Sequence, residues 1–299
     1  MKTRWLGWTT ACVLIGLFST ASEAQRPARH NRIVDLLSQN TVVFGWFSTA
    51  RTLETAPEAA QRAARDSQMD FVFNNMEAVR SYNPALIATF LHTMRDAGLR
   101  RNPNERPLAL RLPVFHDDPA AARQRIAEML NLGVHAIVFP GMESAEEGRE
   151  ALAAMRFAPN GTRPDAGGDA PGYWDVSAAE YKKKADVYPI NPNGELASIF
   201  IIESEKGIAN SREITKLRPT VAIPGPGTLR SVFKGDMEKV EAAIQTQLAS
   251  CKEFNVPCGI TANATDVAKR IEQGFRMIII YDRDYEATIA AGRKAAGRS

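Results

Sequence analysis

Short apolar runs alternate with stretches of helical periodicity along most of the chain. The runs are continuously apolar, which is typical of strands buried on both faces. They are Val42–Phe47, Asp70–Phe73, Leu108–Leu112, Ala136–Phe139, Ser198–Ile202, Thr220–Ile223, Pro257–Thr261 and Met277–Tyr281. The intervening spacing predicts helices over Glu54–Asp66, Pro84–Ala97, Pro119–Leu132, Ala145–Phe157, Ser211–Leu217, Asp236–Phe254, Thr265–Gln273 and Tyr285–Ala296. Eight strand–helix units predict an α/β fold, a single (β/α)₈ TIM barrel with a parallel sheet.

One connection, between the fourth and fifth predicted strands, is much longer than the others. Residues 158–197 are rich in Pro, Gly and Asp, and they also contain Tyr173, Trp174, Tyr181 and Tyr188. Connections of this length are usually lids, interface arms or disordered segments, and the aromatic residues argue against pure disorder. Within this insertion, Ser177–Ala185 is predicted to form a short helix.

The first residues have the pattern of a leader. A basic start, Met1 to Arg4, precedes an apolar stretch, and Ser22 and Ala24 occupy the −3 and −1 positions of a small-residue cleavage site. We therefore expect a signal peptide over residues 1–24, an N-terminal segment with a short helix over 25–40, and the barrel domain over 41–299. The leader predicts export to the periplasm or beyond the cell.

The charge of the chain argues against nucleic-acid and membrane partners. The net charge is only +3 and is spread along the chain, and the run Lys182–Lys184 is typical of a solvated helix face. We expect no nucleic-acid partner, and no membrane partner once the leader is removed.

The mature chain retains Cys251 and Cys258. An exported protein permits a disulfide between them, and two buried small apolar side chains are the alternative.

Candidate chemistry lies where the predicted strands end, because barrel active sites form at the carboxyl ends of strands. Glu203 follows the fifth strand, and Arg111 lies within the third. A carboxylate at the mouth of a barrel needs a cation, so Glu203 is either a ligand for Mg²⁺ or another hard divalent ion, or the ion-pair partner of Arg111. Arg111 could also bind a carboxylate or carbonyl oxygen of a substrate.

Three further features complete the candidate site. The sequence Gly225-Pro226-Gly227-Thr228 follows the sixth strand, and its backbone N–H groups could hold a carboxylate or phosphate. A tight strand-to-helix turn without that role is the alternative. His116, in the loop after the third strand, is a candidate base, although a lone loop histidine is more often part of the surface. Glu77 is the ionisable group after the second strand.

Several segments, taken in order, resemble the HpcH/HpaI aldolase/citrate lyase family. They are Leu130–Glu147, Phe157–Arg163, Ile202-Glu203, Gly225-Pro226 with Leu229, and Gly259-Ile260 followed by Gly274-Phe275. The resemblance covers residues 41–297. It implies a phosphoenolpyruvate/pyruvate-type barrel, often hexameric, that makes or breaks carbon–carbon bonds in 2-keto acids or acyl-CoA esters. It also implies a divalent metal, Mg²⁺ or Mn²⁺, held by a Glu and an Asp, with a His–Asp pair for the proton and an Arg that stabilises the developing oxygen charge.

Carried over by position, that catalytic set is only partly present. Glu203 matches the metal-binding Glu, and Arg111 matches the catalytic Arg. The second metal ligand falls on Thr228, the supporting Asp on Asn75 and the catalytic His on Ala78, while the neighbouring Glu is retained as Glu77. In addition, Asn131 stands where the family has Asp before the glycine of strand four, and Ile201 replaces the Gln two residues before Glu203. Loss of a general base typically costs about 10²–10⁴-fold in rate.

Two main hypotheses follow. The first is a divergent metal-assisted aldolase-like lyase acting on a 2-keto or hydroxy-keto acid, with Glu203 on the metal, Arg111 on the substrate oxygen, and His116 or Glu77 as the replacement base. The second is a non-catalytic exported barrel that binds a small carboxylate through Arg111 and Gly225–Gly227. A third is a purely structural or partner-binding role through the long insertion, whose aromatic residues could instead form an oligomer arm. We expect a homo-oligomer.

Overall fold

The computed structural model describes residues 29–97, 106–165 and 167–298. The predicted leader, residues 1–24, and Gln25–Ala28 lie outside the described residues. The strands are β1 (Val43–Phe47), β2 (Phe71–Asn75), β3 (Leu108–Arg111), β4 (Ala136–Phe139), β5 (Val187–Tyr188), β6 (Leu196–Ile202), β7 (Val221–Pro224), β8 (Cys258–Thr261) and β9 (Phe275–Tyr281).

These strands form one parallel sheet that closes on itself. Their order is β4-β3-β2-β1-β9-β8-β7-β6-β5, and an additional pairing of β4 with β6 completes the ring. The eight predicted strands therefore form the predicted TIM barrel. The two-residue strand β5 lies outside the ring, paired with the start of β6. It is too short to leave a pattern in the sequence.

Helices surround the barrel and begin at residues with strong local signals. Asn83 and Asp118 accept hydrogen bonds from first-turn amides, and the next residue in each case is proline at the start of a helix. The helices are α1 (Arg32–Ser38), α2 (Ala56–Arg65), α3 (Pro84–Asp96), α4 (Pro119–Leu132), α5 (Ala145–Met155), α6 (Ala170–Tyr173), α7 (Ala178–Lys184), α8 (Glu205–Ala209), α9 (Ser211–Thr215), α10 (Pro226–Val232), α11 (Met237–Glu253), α12 (Val267–Gln273) and α13 (Tyr285–Ala295). The helix predicted over Ser211–Leu217 is preceded by a separate helix, α8.

The hydrophobic core has two layers, as alternation along buried strands requires. An outer layer packs the strands against the helices. An inner layer fills the barrel, and three residues of α1 belong to it, namely Ile33, Val34 and Leu37. The predicted short N-terminal helix thus closes the barrel at the end where strands begin. The opposite end, where strands finish, is left for polar side chains.

The long insertion is folded onto the barrel, in agreement with the argument from its aromatic residues against pure disorder. It contains α6, α7 and β5, and α7 matches the predicted helix over Ser177–Ala185. Trp174 stacks on His135 at 4.9 Å and donates to the carbonyl oxygen of Gly133 at 3.0 Å, while Tyr181 donates to the carbonyl oxygen of Leu130 at 2.8 Å. Tyr173, Trp174 and Tyr181 are buried in the described chain. These three aromatic residues anchor the insertion to its own barrel and are not available as an oligomer arm.

Cys251 and Cys258 form a disulfide, so the alternative of two free buried thiols is wrong. The bond joins the last turns of α11 to the first residue of β8.

Among the described residues, every helix is too short or too polar to cross a membrane.

Candidate active site

A narrow cavity of about 60 Å³ opens where the strands end. The sheet register places Phe47 beside Phe73 on one side and Tyr281 on the other. The ring centroids of these neighbours lie 5.0 and 5.1 Å apart, so three aromatic rings make one wall. The rest of the lining comprises a polar wall, made by the side chains of Arg111, Glu203, Thr228 and Thr261 with the Gly225–Gly227 segment, and the apolar residues Ile201, Ile223 and Ile279.

Arg111 lies at the centre of the polar wall, at the last position of β3. Its Nη2 atom donates to Oε1 of Glu77 and to Oε1 of Glu203, and both distances are 2.7 Å. The Arg111 side chain is 14% exposed, the Glu203 side chain 7% and the Glu77 side chain 35%. Two carboxylates therefore share one guanidinium in a partly desolvated site, which leaves one excess negative charge.

Glu203 follows β6 and is the most buried member of this cluster. Burial raises the pKa of the Glu203 carboxyl above its usual value, while attraction to Arg111 and hydrogen bonds from Thr228 and the Gly141 amide act in the opposite direction. A Cβ atom at position 225 would lie 2.3 Å from Oε2 of Glu203, so only glycine leaves room for this carboxylate. Of the two interpretations predicted for Glu203, the described contacts are those of the ion pair with Arg111.

The Gly225–Thr228 segment is a strand-to-helix turn between β7 and α10, the alternative predicted beside its role as an anion-binding turn. Gly225 precedes α10, and Pro226 occupies its first position. The amide of Gly225 donates to the carbonyl oxygen of Ile202 at 3.4 Å, which holds the segment against the end of β6. Gly227 and Thr228 line the cavity, and the Thr228 hydroxyl bonds to Glu203.

His116 lies at the rim, outside the residues that line the cavity. Its Nδ1 atom is 3.0 Å from Oε1 of Glu147, a buried carboxylate in the first turn of α5. The second Glu147 oxygen accepts from the amide of Glu143 at 3.0 Å. His116 is therefore oriented by a carboxylate, with 43% of its side chain exposed. The Gly141 turn, whose amide bonds to Glu203, separates this pair from the cavity: a Cβ atom at position 141 would lie 3.9 Å from Cε1 of His116.

Glu143 extends the polar rim toward the end of β6. It accepts from the Ser204 hydroxyl at 2.7 Å and pairs with the Lys206 ammonium at 3.1 Å. The hydrogen bond from Ser204, with the neighbouring Lys206, holds the pKa of the Glu143 carboxyl below its usual value. This network fixes the β4 and β6 loops relative to each other.

The structure brings Arg111, Glu203, Glu77 and Gly225–Thr228 together, as predicted, but not His116. The sequence reasoning missed the aromatic wall and the carboxylate that orients His116. Phe47, Phe73 and Tyr281 are the last residues of three predicted strands, so the strand-end rule that found Glu203 could have found them. Glu147 carried no signal, because a glutamate in the first turn of a helix is common.

Different side chains stand at the positions that correspond to the family's supporting Asp, catalytic His and second metal ligand. Asn75 ends β2, and its side-chain oxygen accepts from the amide of Glu77 at 2.9 Å. That bond fixes the backbone that carries Glu77. Ala78 brings no functional group, and Thr228 supplies a neutral hydroxyl.

A parallel eight-stranded barrel with a buried arginine and carboxylates at the strand ends is the architecture of enzymes whose ligands bind over the C-terminal face. The profile of the HpcH/HpaI aldolase/citrate lyase family matches residues 101–277. The chain belongs to this family.

Its relatives include aldolases of keto acids. A hydroxypyruvate/pyruvate aldolase of Delftia acidovorans is 30% identical over 166 residues, covering 52% of this chain and 57% of that protein. A 2-dehydro-3,6-dideoxy-6-sulfogluconate aldolase of Pseudomonas putida is 29% identical over 152 residues, covering 49% and 56%. The chain thus spans little more than half the length of these two relatives.

Solved structures extend the similarity of fold to nearly the whole chain. A family member from Burkholderia cenocepacia superposes with a TM-score of 0.70 at 22% identity, covering 89% of this chain and 98% of that one. An HpcH/HpaI aldolase from Desulfitobacterium hafniense gives 0.67 at 21% identity, covering 86% and 93%.

The family typically uses a divalent metal ion, and the residues at this mouth fit a weakly held one. Within residues 29–97, 106–165 and 167–298, no three His, Cys, Asp or Glu side chains are grouped as metal ligands. Glu203 and the Thr228 hydroxyl nevertheless lie together at the mouth, beside the space that Gly225 leaves. Mg²⁺ and Mn²⁺ accept one or two carboxylates and complete their shells with water, so this donor set suits such an ion.

Proposed function

We propose that this protein is a divergent aldolase-like carbon–carbon lyase acting on a small 2-keto or hydroxy-keto acid at the barrel mouth. The observation that carries the proposal is the placement of Arg111, whose guanidinium is held at the cavity by Glu77 and Glu203. A fixed cation at the strand ends is positioned to stabilise an oxygen on which charge develops. The aromatic wall suits the carbon skeleton of a small substrate.

Glu77 is proposed as the group that moves the proton. A general base must first lie within reach of the reacting atoms, and only then does its basicity matter. Glu77 contacts Arg111 directly, whereas His116 lies behind the Gly141 turn. Asn75 fixes the backbone of Glu77 and so keeps its carboxylate at the site. His116, oriented by Glu147, is the competing candidate, and the variants below separate the two.

Glu203, with Thr228 as a neutral donor, would hold the divalent ion, Mg²⁺ or Mn²⁺. When bound, such an ion supplies Lewis-acid polarisation of the substrate keto oxygen. Because the Glu203 carboxylate that would hold the ion is already paired with Arg111, binding should be weak. Titration with Mn²⁺ should show saturable binding that Glu203→Gln abolishes and that His116→Ala leaves intact. Equal binding by wild type and Glu203→Gln would contradict the assignment.

The lyase proposal is tested by pyruvate release. Hydroxy-keto acids are incubated with the protein and Mg²⁺, Mn²⁺ or Co²⁺, and pyruvate is measured with a coupled dehydrogenase. Wild type should release pyruvate. Arg111→Lys should be strongly impaired, because an ammonium held by both glutamates lacks the further planar N–H donors that a guanidinium can offer to a substrate oxygen. Glu77→Gln should lose about 10²–10⁴-fold in kcat. If His116→Ala loses that factor while Glu77→Gln does not, His116 is the base.

A second candidate function is binding without catalysis. It is favoured by Asn75, Ala78 and Thr228, which stand where the family's acid, base and second metal ligand are expected. Under this alternative, keto acids raise the melting temperature of wild type and not of Arg111→Ala, and no metal yields turnover. Turnover that depends on Glu77 or His116 would exclude it.

A further inference from the structure

A second, larger cavity lies at the opposite end of the barrel, where strands begin. Its volume is about 490 Å³, within the range of small-molecule sites. Its walls include Thr220, Cys258 and Gly274, which precede or open β7, β8 and β9, together with Asn40 after α1. The barrel interior and α1 separate it from the candidate active site.

The charges around this cavity are all of one sign. Arg218, Lys252 and Arg276 line it, and none of its sixteen lining residues is acidic. In the described part of the chain these three side chains make no ion pair. Three uncompensated cations around one concave surface repel each other, and a bound anion relieves that repulsion.

Arg276 is held in place as a binding group would be. Its Nε atom donates to the side-chain oxygen of Asn40 at 3.0 Å, and its Nη1 atom donates to the carbonyl oxygens of Ile271 and Phe275 at 3.3 and 3.1 Å. Its Nη2 atom has no hydrogen-bond partner among the described residues. A guanidinium fixed on one side, with donors left over on the other, is pre-organised for an oxyanion.

Arg218 and Lys252 complete the set as exposed cations without a hydrogen-bonded side-chain partner in the described chain. Tyr188 and the Cys251–Cys258 disulfide supply apolar wall. The cavity is larger than inorganic phosphate requires, so it has room for an organic group beside the anion.

We propose that this cavity binds a phosphorylated small molecule, with its phosphoryl oxygens among Arg218, Lys252 and Arg276. The site lies at the end of the barrel that is remote from Arg111 and Glu203, and it does not depend on the proposed lyase activity. Tetrahedral oxyanions with two or more negative charges match three convergent cations better than a monocarboxylate does.

The test is calorimetric titration of the full chain, in metal-free buffer with chelator, with pyrophosphate, inorganic phosphate and succinate as probes. Pyrophosphate should bind saturably with one site per chain and more tightly than succinate. The double variant Arg218→Gln/Lys252→Gln should weaken it by about tenfold or more, because each lost charge-assisted bond is worth about a factor of ten. Both side chains are exposed, so the fold should be retained.

The matched control is Lys183→Gln/Lys269→Gln, which removes two exposed positive charges elsewhere, on α7 and α12. Its affinity for pyrophosphate should stay within about twofold of wild type. Equal weakening in both double variants would reduce the effect to net charge and overturn the proposal. Absence of saturable binding by wild type, or succinate binding as tightly as pyrophosphate, would overturn it too.

Discussion

Arg111 is the residue on which the candidate site depends, because a single nitrogen of its guanidinium pairs with a buried carboxylate and with a partly exposed one. Removing one partner of a buried pair is more costly than removing both, since the remaining charge is left without compensation. Glu203 would be the group left behind, because it is the more buried of the two glutamates. The same arrangement that positions Arg111 for chemistry therefore makes it a stability determinant.

We predict that Arg111→Met lowers the free energy of unfolding at neutral pH by about 3 kcal/mol, because breaking a buried ion pair typically costs about this much. Arg111→Met/Glu203→Gln should recover a large part of this loss, because the amide carries no charge to bury. Urea unfolding of the two variants and of Glu203→Gln alone completes the double-mutant cycle. A double variant as unstable as Arg111→Met would show that lost packing, and not the stranded charge, is responsible.

At the scale of elements, the barrel strands were predictable because burial on both faces makes them continuously apolar. The pattern of Ala136–Phe139, for example, coincides with β4. Strand β5 and helix α10 were not predicted. Strand β5 has only two residues, which are too few for any periodicity. Helix α10 begins within Gly225-Pro226-Gly227, which has the composition of a turn. In the insertion, helix α7 was predicted, but the docking of the segment on the barrel was not, because it comes from contacts distant in sequence, such as Trp174 on His135.

The His135–Trp174 contact gives the histidine just before β4 a structural role. Burial lowers the pKa of His135 to about 3, so the ring is neutral where it stacks. By contrast, the candidate site was found from the sequence where polar or glycine residues interrupt or follow apolar strands, as Arg111, Glu203 and Gly225–Thr228 do. The predicted barrel makes β2 and β3 neighbours, but the direct contact of Glu77 with Arg111 depends on the loop geometry that Asn75 fixes, which no pattern in the sequence encodes.

The disulfide ties the end of α11 to β8 and should contribute to stability by restricting the unfolded chain. For a loop closed between residues seven apart, the chain-entropy relation gives about 2–3 kcal/mol. We predict that Cys251→Ser/Cys258→Ser loses about this amount in urea unfolding. Added reductant should lower the stability of wild type toward that of the variant and leave the variant unchanged. A wild type insensitive to reductant, once full reduction is verified, would contradict this prediction.

The ion pair between Glu241 on α11 and Arg270 on α12 gives the protein an acid-sensitive contact. Nη1 and Nη2 of Arg270 each bond a Glu241 oxygen at 2.8 Å, and this lowers the pKa of Glu241 to about 2. A depressed carboxyl pKa contributes stability above its unfolded value, near 4.5, and that contribution disappears as pH falls toward 2.

We predict that wild type exceeds Glu241→Gln in stability at pH 6 by less than about 1 kcal/mol, because the glutamate is 37% exposed. The difference should shrink between pH 4.5 and 2. Unfolding free energies of both proteins across that interval measure it. A difference that is constant with pH would assign the effect of the substitution to packing.

At the scale of the whole molecule, the barrel is a family fold joined to a leader-like first segment. We propose that the protein is exported, supported by the basic, apolar and small-residue pattern of residues 1–24 and by a disulfide of the kind that persists in oxidising compartments. Expression of the full chain in a bacterial host, fractionation and mass determination should yield a periplasmic protein that begins at Gln25. A cytoplasmic protein that retains its first residues would contradict the proposal.

The proposal of lyase chemistry rests on proton transfer at the barrel mouth, and it can be tested without knowing the aldehyde partner. Exchange of the pyruvate methyl hydrogens with D₂O, followed by NMR with Mg²⁺ or Mn²⁺ present, measures that transfer directly. Wild type should accelerate exchange above the rate in buffer and metal alone, and Glu77→Gln should lose about 10²–10⁴-fold of the acceleration while His116→Ala retains it. No acceleration by wild type with either metal would contradict the account and leave a barrel that binds carboxylates without acting on them.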